Sequence, residues 1–177
     1  MRTASVLAMA LVFVLPAAGL AQKGPVGTPK VVIEYDKKTD LTKYKTYSWG
    51  PGHGALLPSA DKAIIADVER QLAANGMTKA AAGTGDLLVR YHSVERADVD
   101  LSTFDPKPPA AGEQRTMAQT VRVGTLMVDL VDPGTRKLLW RGWVEGAISH
   151  DPAKLEQQLD TAVTRLFEKF PVGVPTR

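Results

Sequence analysis

The sequence predicts an α+β domain: a mostly antiparallel sheet of about five strands with two amphipathic helices packed on one face. Short segments in which apolar and polar residues alternate recur along the chain, and this pattern is typical of half-buried strands. Two other segments place apolar residues at helical spacing. Several strands follow one another directly, and two are joined by a short turn, which favours antiparallel pairing.

Residues 1–21 are predicted to be a secretory signal peptide. Arg2 supplies a positive charge, an apolar run extends from Val6 to Leu15, and small residues precede a cleavage point after Ala21. The run is too short to cross a bilayer, which requires roughly 20 residues. We therefore expect a periplasmic or secreted protein with no transmembrane segment after cleavage. The chain has no cysteine, which excludes disulfides, thiolate metal sites and a lipid anchor on cysteine.

The rest of the chain is predicted to hold one domain. Residues 22–30 contain Pro and Gly and are interpreted as a flexible lead-in, 31–171 as a single α+β domain, and 172–177 as a C-terminal tail. The formal net charge is +3 at pH 7, with acidic and basic residues mixed along the chain. This charge pattern predicts a solvated surface and no nucleic-acid partner.

The first half of the domain is predicted to contain three strands and one helix. Strands are expected at Val31–Asp36 and Thr46–Trp49, and a further strand at Asp86–Val94. Between them, an apolar stripe at helical spacing predicts a helix. Ser59 is expected to cap its start, and Asn75–Gly76 to end it with a left-handed residue.

The strongest pattern in the second half is a hairpin. Its strands are predicted at Val121–Val131 and Lys137–Ile148, on either side of a Pro-Gly turn. Pairing Leu130 with Leu138 would place the apolar residues of both strands on one face. This register predicts an odd number of residues in the turn, with Gly134 at positive φ.

Two further segments flank the hairpin. Asp98–Gly112 lacks periodicity and is rich in proline, so it is predicted to be a long loop that is either functional or disordered. After the hairpin, Asp151 is expected to cap a helix that has Pro152 at its first position and ends at Pro171.

Several segments in this order resemble the bacterial domain of unknown function 4136, a family of exported envelope proteins. The segments that carry the resemblance are Tyr35–Asp36 with Asp40–Leu41 and Tyr44–Trp49, Asp86–His92, Gly124–Asp132, Leu139–Gly142 and the helix ending at Phe167–Pro171. Many members look like lipoproteins with a cysteine at the cleavage site, where this chain has Gln22. The resemblance implies a fold and a compartment, and it implies no catalytic residues or cofactor.

No pattern of residues predicts an active site or a metal site. His53, His92 and His150 lie far apart in the sequence, without the spacing of metal ligands. No serine lies in a Gly-x-Ser-x-Gly elbow. We therefore expect a protein without catalytic activity, cofactor or metal. The alternative is an uncharacterised hydrolase or ligand-processing enzyme that uses His92 or His150.

The outer face of the hairpin is the predicted interaction surface. If Trp140 packs inward, the residues that alternate with it face outward. They are Leu139, Arg141, Trp143, Glu145 and Ala147, beside Val123, Thr125, Met127 and Asp129. Exposed Trp and Arg are enriched at interface hot spots. The alternative is that the long loop or the N-terminal segment covers this face. The sequence thus favours a binding or assembly module whose partner is an envelope protein or a second copy of the chain.

Overall fold

The computed structural model describes residues 29–52, 54–55, 57–100 and 118–171. The predicted signal peptide (1–21), most of the lead-in (22–30), the tail (172–177) and most of the predicted loop lie outside these residues. The described elements are β1 (Lys30–Tyr35), β2 (Thr46–Trp49), α1 (Pro58–Ala74), β3 (Thr78–Lys79), β4 (Leu87–Asp100), β5 (Gln119–Val131), β6 (Leu138–Ala147) and α2 (Pro152–Phe167), with a short 3-10 turn at Leu41–Lys43.

The strands form one sheet in the order β1-β6-β5-β4-β2-β3. The pairs β1–β6, β6–β5 and β5–β4 are antiparallel, whereas β2 runs parallel to both β4 and β3. The α+β class and the mostly antiparallel sheet are therefore confirmed, and the sixth strand is the two-residue β3. The chain reaches β4 from β2 through α1, because a parallel neighbour requires a crossover connection.

Both helices pack on one face of the sheet, and the core lies between the two layers. Trp140 on β6 is at its centre, with its ring centroid 5.2 Å from that of Phe167 and 5.3 Å from that of Phe170. The helices also contact each other, where the Gln71 side-chain amide donates to the Thr164 hydroxyl at 3.1 Å. The sheet therefore has a covered inner face and an outer face that points away from the helices.

The start of α1 differs from the prediction. The helix begins at Pro58, and its N-cap is Leu57, which makes no side-chain cap hydrogen bond. Ser59 is therefore inside the first turn, and its predicted role as cap is wrong. Proline favours the first helical position because its φ is already helical and its missing N–H is not needed there. The predicted end is confirmed, since Gly76 follows the helix with φ 78°.

The start of α2 is as predicted. The Asp151 carboxylate accepts from the backbone N–H groups of Ala153 and Lys154, at 2.9 and 3.4 Å. The predicted end at Pro171 is wrong, because the helix stops at Phe167. A turn follows, in which the Phe170 N–H donates to the Phe167 carbonyl at 2.9 Å, and it brings Phe170 against the core.

The hairpin pairs two residues away from the predicted register. Leu130 lies opposite Trp140 instead of Leu138, and an irregularity between Leu130 and Val131 sets Val131 opposite Leu138. The predicted pairing is therefore wrong. The shift is two residues, and a shift by an even number leaves each side chain on the same face of the sheet. Trp140 therefore still faces inward beside the predicted apolar row. The irregularity explains why an even number of residues separates Val131 from Leu138.

The turn itself also differs. Arg136 has φ 59°, whereas Gly134 does not have a positive φ. The Asp132 carboxylate accepts from the backbone N–H groups of Gly134 and Thr135, at 2.8 and 2.9 Å. These bonds hold the first part of the turn in a right-handed conformation, so the left-handed residue falls at Arg136.

Strand β4 is longer than predicted. It continues to Asp100, which pairs with Gln119 on β5. Residues 98–100 therefore belong to a strand, and the prediction of a loop from Asp98 is wrong for them. The remainder of that loop lies outside the described residues. The first residues of β5 supply the backbone partners that extend β4, a long-range pairing that no local pattern indicates.

Candidate functional site

The outer face of the central strands brings four of the five predicted surface residues together. Met127 on β5 lies opposite Trp143 on β6, and Trp143 in turn lies opposite Val32 on β1. Arg141 and Glu145 flank Trp143 on the same face, because side chains two residues apart on a strand share a face. All four predicted residues are half-buried. We refer to Arg141, Trp143, Glu145, Met127 and Val32 as the outer patch.

Three residues of the predicted outward row are buried. Val123 is 5% exposed, Leu139 is 2% exposed and Asp129 is 1% exposed. Of these three, Leu139 belongs to the hydrophobic core. For Leu139, the reason is the irregular hairpin pairing next to it, which breaks the simple alternation of faces. Val123 is therefore removed from the candidate surface, and the functional role of the other four residues stays a prediction.

Trp143 is held by neighbours from two strands. The Lys30 ammonium lies 5.1 Å from the centroid of the Trp143 ring, a distance at which a cation is attracted to the face of the indole. Met127 lies directly across the β5–β6 pair, where a flexible thioether adapts well to an aromatic neighbour. The patch thus offers an indole, a thioether and an aliphatic side chain side by side.

An ion cluster lies next to these apolar groups. Asp129 is 1% exposed, and its carboxylate accepts two hydrogen bonds from Arg141, from Nε at 2.7 Å and from Nη2 at 2.8 Å. Arg90 on β4 approaches the same carboxylate at 3.7 Å. The hydrogen bond with Asp129 raises the pKa of Arg141. The bidentate pair fixes the orientation of the Arg141 side chain on the outer face.

Glu145 is fixed in a similar way at the other side of Trp143. Its carboxylate accepts from Arg96 Nη1 at 2.9 Å and from the Thr125 hydroxyl at 3.2 Å. The hydrogen bond from Arg96 is the main cause that lowers the pKa of Glu145. The two charged residues of the patch, Arg141 and Glu145, are therefore each paired with a charged neighbour, Asp129 and Arg96 respectively.

The histidines of the alternative hydrolase hypothesis lie in different surroundings. His92 is on β4 opposite Met127, and its side of the strand is the outer face. His150 is exposed and directly precedes the N-cap of α2, where its charge contributes to lowering the pKa of Glu95, after the larger effect of Arg122. His53 lies outside the described residues. Among residues 29–52, 54–55, 57–100 and 118–171, no three His, Asp or Glu side chains are grouped as metal ligands.

Sequence reasoning did not reveal an apolar cavity on the other side of the sheet. It has a volume of about 320 Å³ and is lined by residues of α1, α2 and strands β4, β5 and β6. Its aliphatic lining includes Ile64, Leu126, Val144, Leu155 and Leu159. The local signal is that small residues, such as Ala60 and Gly146, stand at lining positions. They leave space unfilled where larger side chains would meet.

A partly buried polar pair, Asp61 and Tyr91, fixes the chain next to this cavity. Asp61 accepts from the Tyr91 hydroxyl and from the Ala55 N–H, the latter at 2.6 Å. Burial, and then the hydrogen bond to Asp61, raises the pKa of Tyr91 to about 12. Tyr91 is therefore protonated at neutral pH and serves to attach the segment before α1 to strand β4.

The comparison with protein families decides the family of the chain. The model of the domain of unknown function DUF4136 matches residues 31–172. The chain belongs to the DUF4136 family. No curated protein is significantly similar to it. In the described part of this DUF4136 chain, no helix is long and apolar enough to cross a membrane.

Solved structures share the fold of this DUF4136 protein at low sequence identity. The PelC dodecamer from Paraburkholderia phytofirmans is 10% identical, with a TM-score of 0.50, over 78% of this chain and 94% of that chain. A PelC point variant in another crystal form is 12% identical, with a TM-score of 0.49 and the same coverage.

A third solved structure with a similar fold is not a PelC protein. A PDZ domain protein from Parabacteroides distasonis is 14% identical, with a TM-score of 0.52. The match covers 82% of this chain and 35% of that longer one. At these identities the likeness concerns the fold alone.

Proposed function

We propose that this DUF4136 protein is a non-catalytic assembly module of the bacterial cell envelope, and that it self-associates through the outer patch. The observation that carries the proposal is Trp143, half-buried on the sheet face that points away from both helices, between Met127 and Val32. An aromatic anchor surrounded by paired charges is the composition of an interface centre with a polar rim.

Two further observations support the proposal. PelC, which shares the fold, is a dodecamer, so this architecture is compatible with assembly into a closed oligomer. The predicted signal peptide at 1–21 and the family resemblance favour an envelope location, where such an assembly would act. The charges beside Trp143 are held in place by Asp129 and Arg96, so little side-chain entropy would be lost when the patch binds.

Sedimentation velocity over a concentration series tests this directly. The chain beginning at Gln22 contains every described residue, and we expect it to associate reversibly. Trp143→Ala should weaken association by about 2 kcal/mol, or roughly thirty-fold in the dissociation constant, as is typical of an interface hot spot. Circular dichroism would establish that the variant is folded.

Tyr35→Ala is the matched control. Tyr35 is 42% exposed and lies on edge strand β1, where its position opposite Trp140 assigns it to the inner face. Its removal should leave association unchanged. A wild-type chain that stays monomeric at all concentrations, or equal weakening by both substitutions, would refute self-association through the outer patch. Crosslinking in envelope extracts would then test for a different protein partner.

A further inference from the structure

The apolar cavity has the size and the lining of a small-molecule site. Its volume of about 320 Å³ lies at the lower end of the ~300–1,000 Å³ that ligand pockets usually occupy. Aliphatic side chains from both helices and from β5 and β6 form most of its wall. Binding an apolar ligand against such a wall is favourable because it removes apolar surface from water. The wall offers few hydrogen-bond partners to water molecules.

Most polar side chains of the lining are already bonded within the protein. Glu95 accepts from Arg122 Nη2 at 2.6 Å, and Gln158 accepts from the Ser149 N–H at 2.8 Å. Arg165 on α2 also lines the cavity. It is half-buried, and its guanidinium makes no hydrogen bond or ion pair with any residue that the structure describes.

An arginine in this position favours an anionic ligand. A guanidinium group next to an apolar wall is poorly hydrated, and its fork of N–H groups matches a carboxylate or a phosphate. Glu95, the acidic residue of the lining, does not compete for Arg165, because Arg122 neutralises it. The positive charge of Arg165 therefore remains available to the cavity.

We propose that the cavity binds the alkyl chain of an anionic amphiphile, with its carboxylate or phosphate group on Arg165. If each chain carbon needs about the ~30 Å³ that a water molecule occupies in the liquid, the cavity holds a chain of roughly ten carbons. The helices and the inner face of the sheet form most of its lining, and neither Trp143 nor Met127 lines it. It can therefore be tested without reference to self-association.

Isothermal titration calorimetry of the chain beginning at Gln22 with decanoate tests the proposal. We expect saturable binding with one site per chain. Decyltrimethylammonium has the same alkyl chain with a cationic head, and it should bind at least about tenfold more weakly because Arg165 repels it. Decanoyl lysophosphatidate carries a lipid phosphate in place of the free carboxylate. Whichever of the two anionic ligands binds more tightly shows whether the head group is a fatty-acid carboxylate or a lipid phosphate. Absence of saturable binding by both anionic ligands would overturn the proposal.

Two substitutions test the position of the alkyl chain. Ala162 on α2 lines the cavity, so Ala162→Phe places a ring in it and should weaken decanoate binding at least about tenfold. Ala73→Phe, at the exposed end of α1 and outside the lining, should not weaken it. If Ala162→Phe does not fold, Leu57→Asp provides the test. Leu57 lines the cavity, is 44% exposed and lacks a cap bond, so aspartate suits the N-cap and its charge should repel decanoate.

Arg165→Gln tests the head group. It should weaken decanoate binding by about three- to tenfold without weakening that of decyltrimethylammonium. Lys154→Gln, an exposed residue of the same helix that does not line the cavity, should change neither. A folded Ala162→Phe or Leu57→Asp variant that binds decanoate as tightly as the wild type would refute the cavity as the site. If Arg165→Gln binds decanoate as tightly as the wild type does, Arg165 does not hold the head group.

Discussion

At the scale of single residues, the Asp129 cluster combines two arginines of unequal importance. Arg141 makes two short hydrogen bonds to the buried carboxylate, whereas Arg90 approaches it only at 3.7 Å. The Arg90 Nε is buried and has no hydrogen-bond partner. The attraction from Arg90 is therefore offset in part by the desolvation of its own guanidinium.

We expect Arg141→Met to lower the free energy of unfolding by about 2–3 kcal/mol, because it leaves Asp129 buried with one distant partner. Arg90→Met should cost less than about 1 kcal/mol, since it removes a weak ion pair together with an unsatisfied donor. Urea denaturation of both variants measures the difference. If the two substitutions cost the same, Arg141 does not have the special role that its geometry indicates.

Tyr91 makes stability depend on pH in the alkaline range. Its pKa is raised from 10.0 to about 12 in the folded chain, so the folded state binds the phenolic proton more tightly than the unfolded state does. The resulting stabilisation is fully present below pH 10 and is lost as the pH rises through 12. Thermal unfolding measured from pH 9 to pH 12 should therefore show a smaller decrease for Tyr91→Phe than for the wild type. A parallel decrease would contradict the assignment to Tyr91.

At the scale of secondary-structure elements, the two helices begin by different means. Asp151 caps α2 through its carboxylate, whereas α1 starts at Pro58 without a side-chain cap. Asp151→Ala should therefore lower the free energy of unfolding by about 1 kcal/mol. Ser59→Ala should leave it unchanged within about 0.5 kcal/mol, although the sequence suggests Ser59 as the cap. Chemical denaturation of both variants distinguishes the observed helix start from the predicted one.

The β5–β6 turn contains a strained residue that can be relieved. Arg136 has φ 59°, a conformation that glycine adopts without the steric cost of a Cβ atom. Arg136→Gly should raise the free energy of unfolding by up to about 1 kcal/mol. Gly134→Ala should not be strained, because φ there is not positive and the nearest atom to an added Cβ is 3.4 Å away. Destabilisation by Gly134→Ala would instead favour the turn predicted from the sequence.

At the scale of the whole molecule, Trp140 joins the helix layer to the sheet. Its side chain is fully buried and contacts the rings of Phe167 and Phe170, which lie at and beyond the end of α2. Trp140→Ala should lower the free energy of unfolding by about 3–5 kcal/mol, through lost burial and a residual cavity. Urea denaturation measures this, with Trp143→Ala as a control on the same strand that should cost clearly less because Trp143 is only half-buried.

The architecture leaves two surfaces with different chemistry. The outer patch lies on the sheet face away from the helices and mixes an indole with paired charges, which suits a protein surface. The cavity is concave and aliphatic and is lined by Arg165, whose guanidinium has no partner among the described residues, which suits a small anionic amphiphile. Because the sheet separates them, substitutions at Trp143 and at Ala162 should act independently on association and on ligand binding.

The amino-acid sequence by itself determined the order and type of the long elements, the cap at Asp151 and the inward position of Trp140. These depend on local signals, because periodicity and capping involve residues a few positions apart. Only the tertiary structure decided the strand order, the hairpin register, the burial of Val123 and the cavity. These depend on which distant strands pair and how the helices pack over them, and pairing between distant segments is specified by packing across the whole sheet rather than by any local pattern.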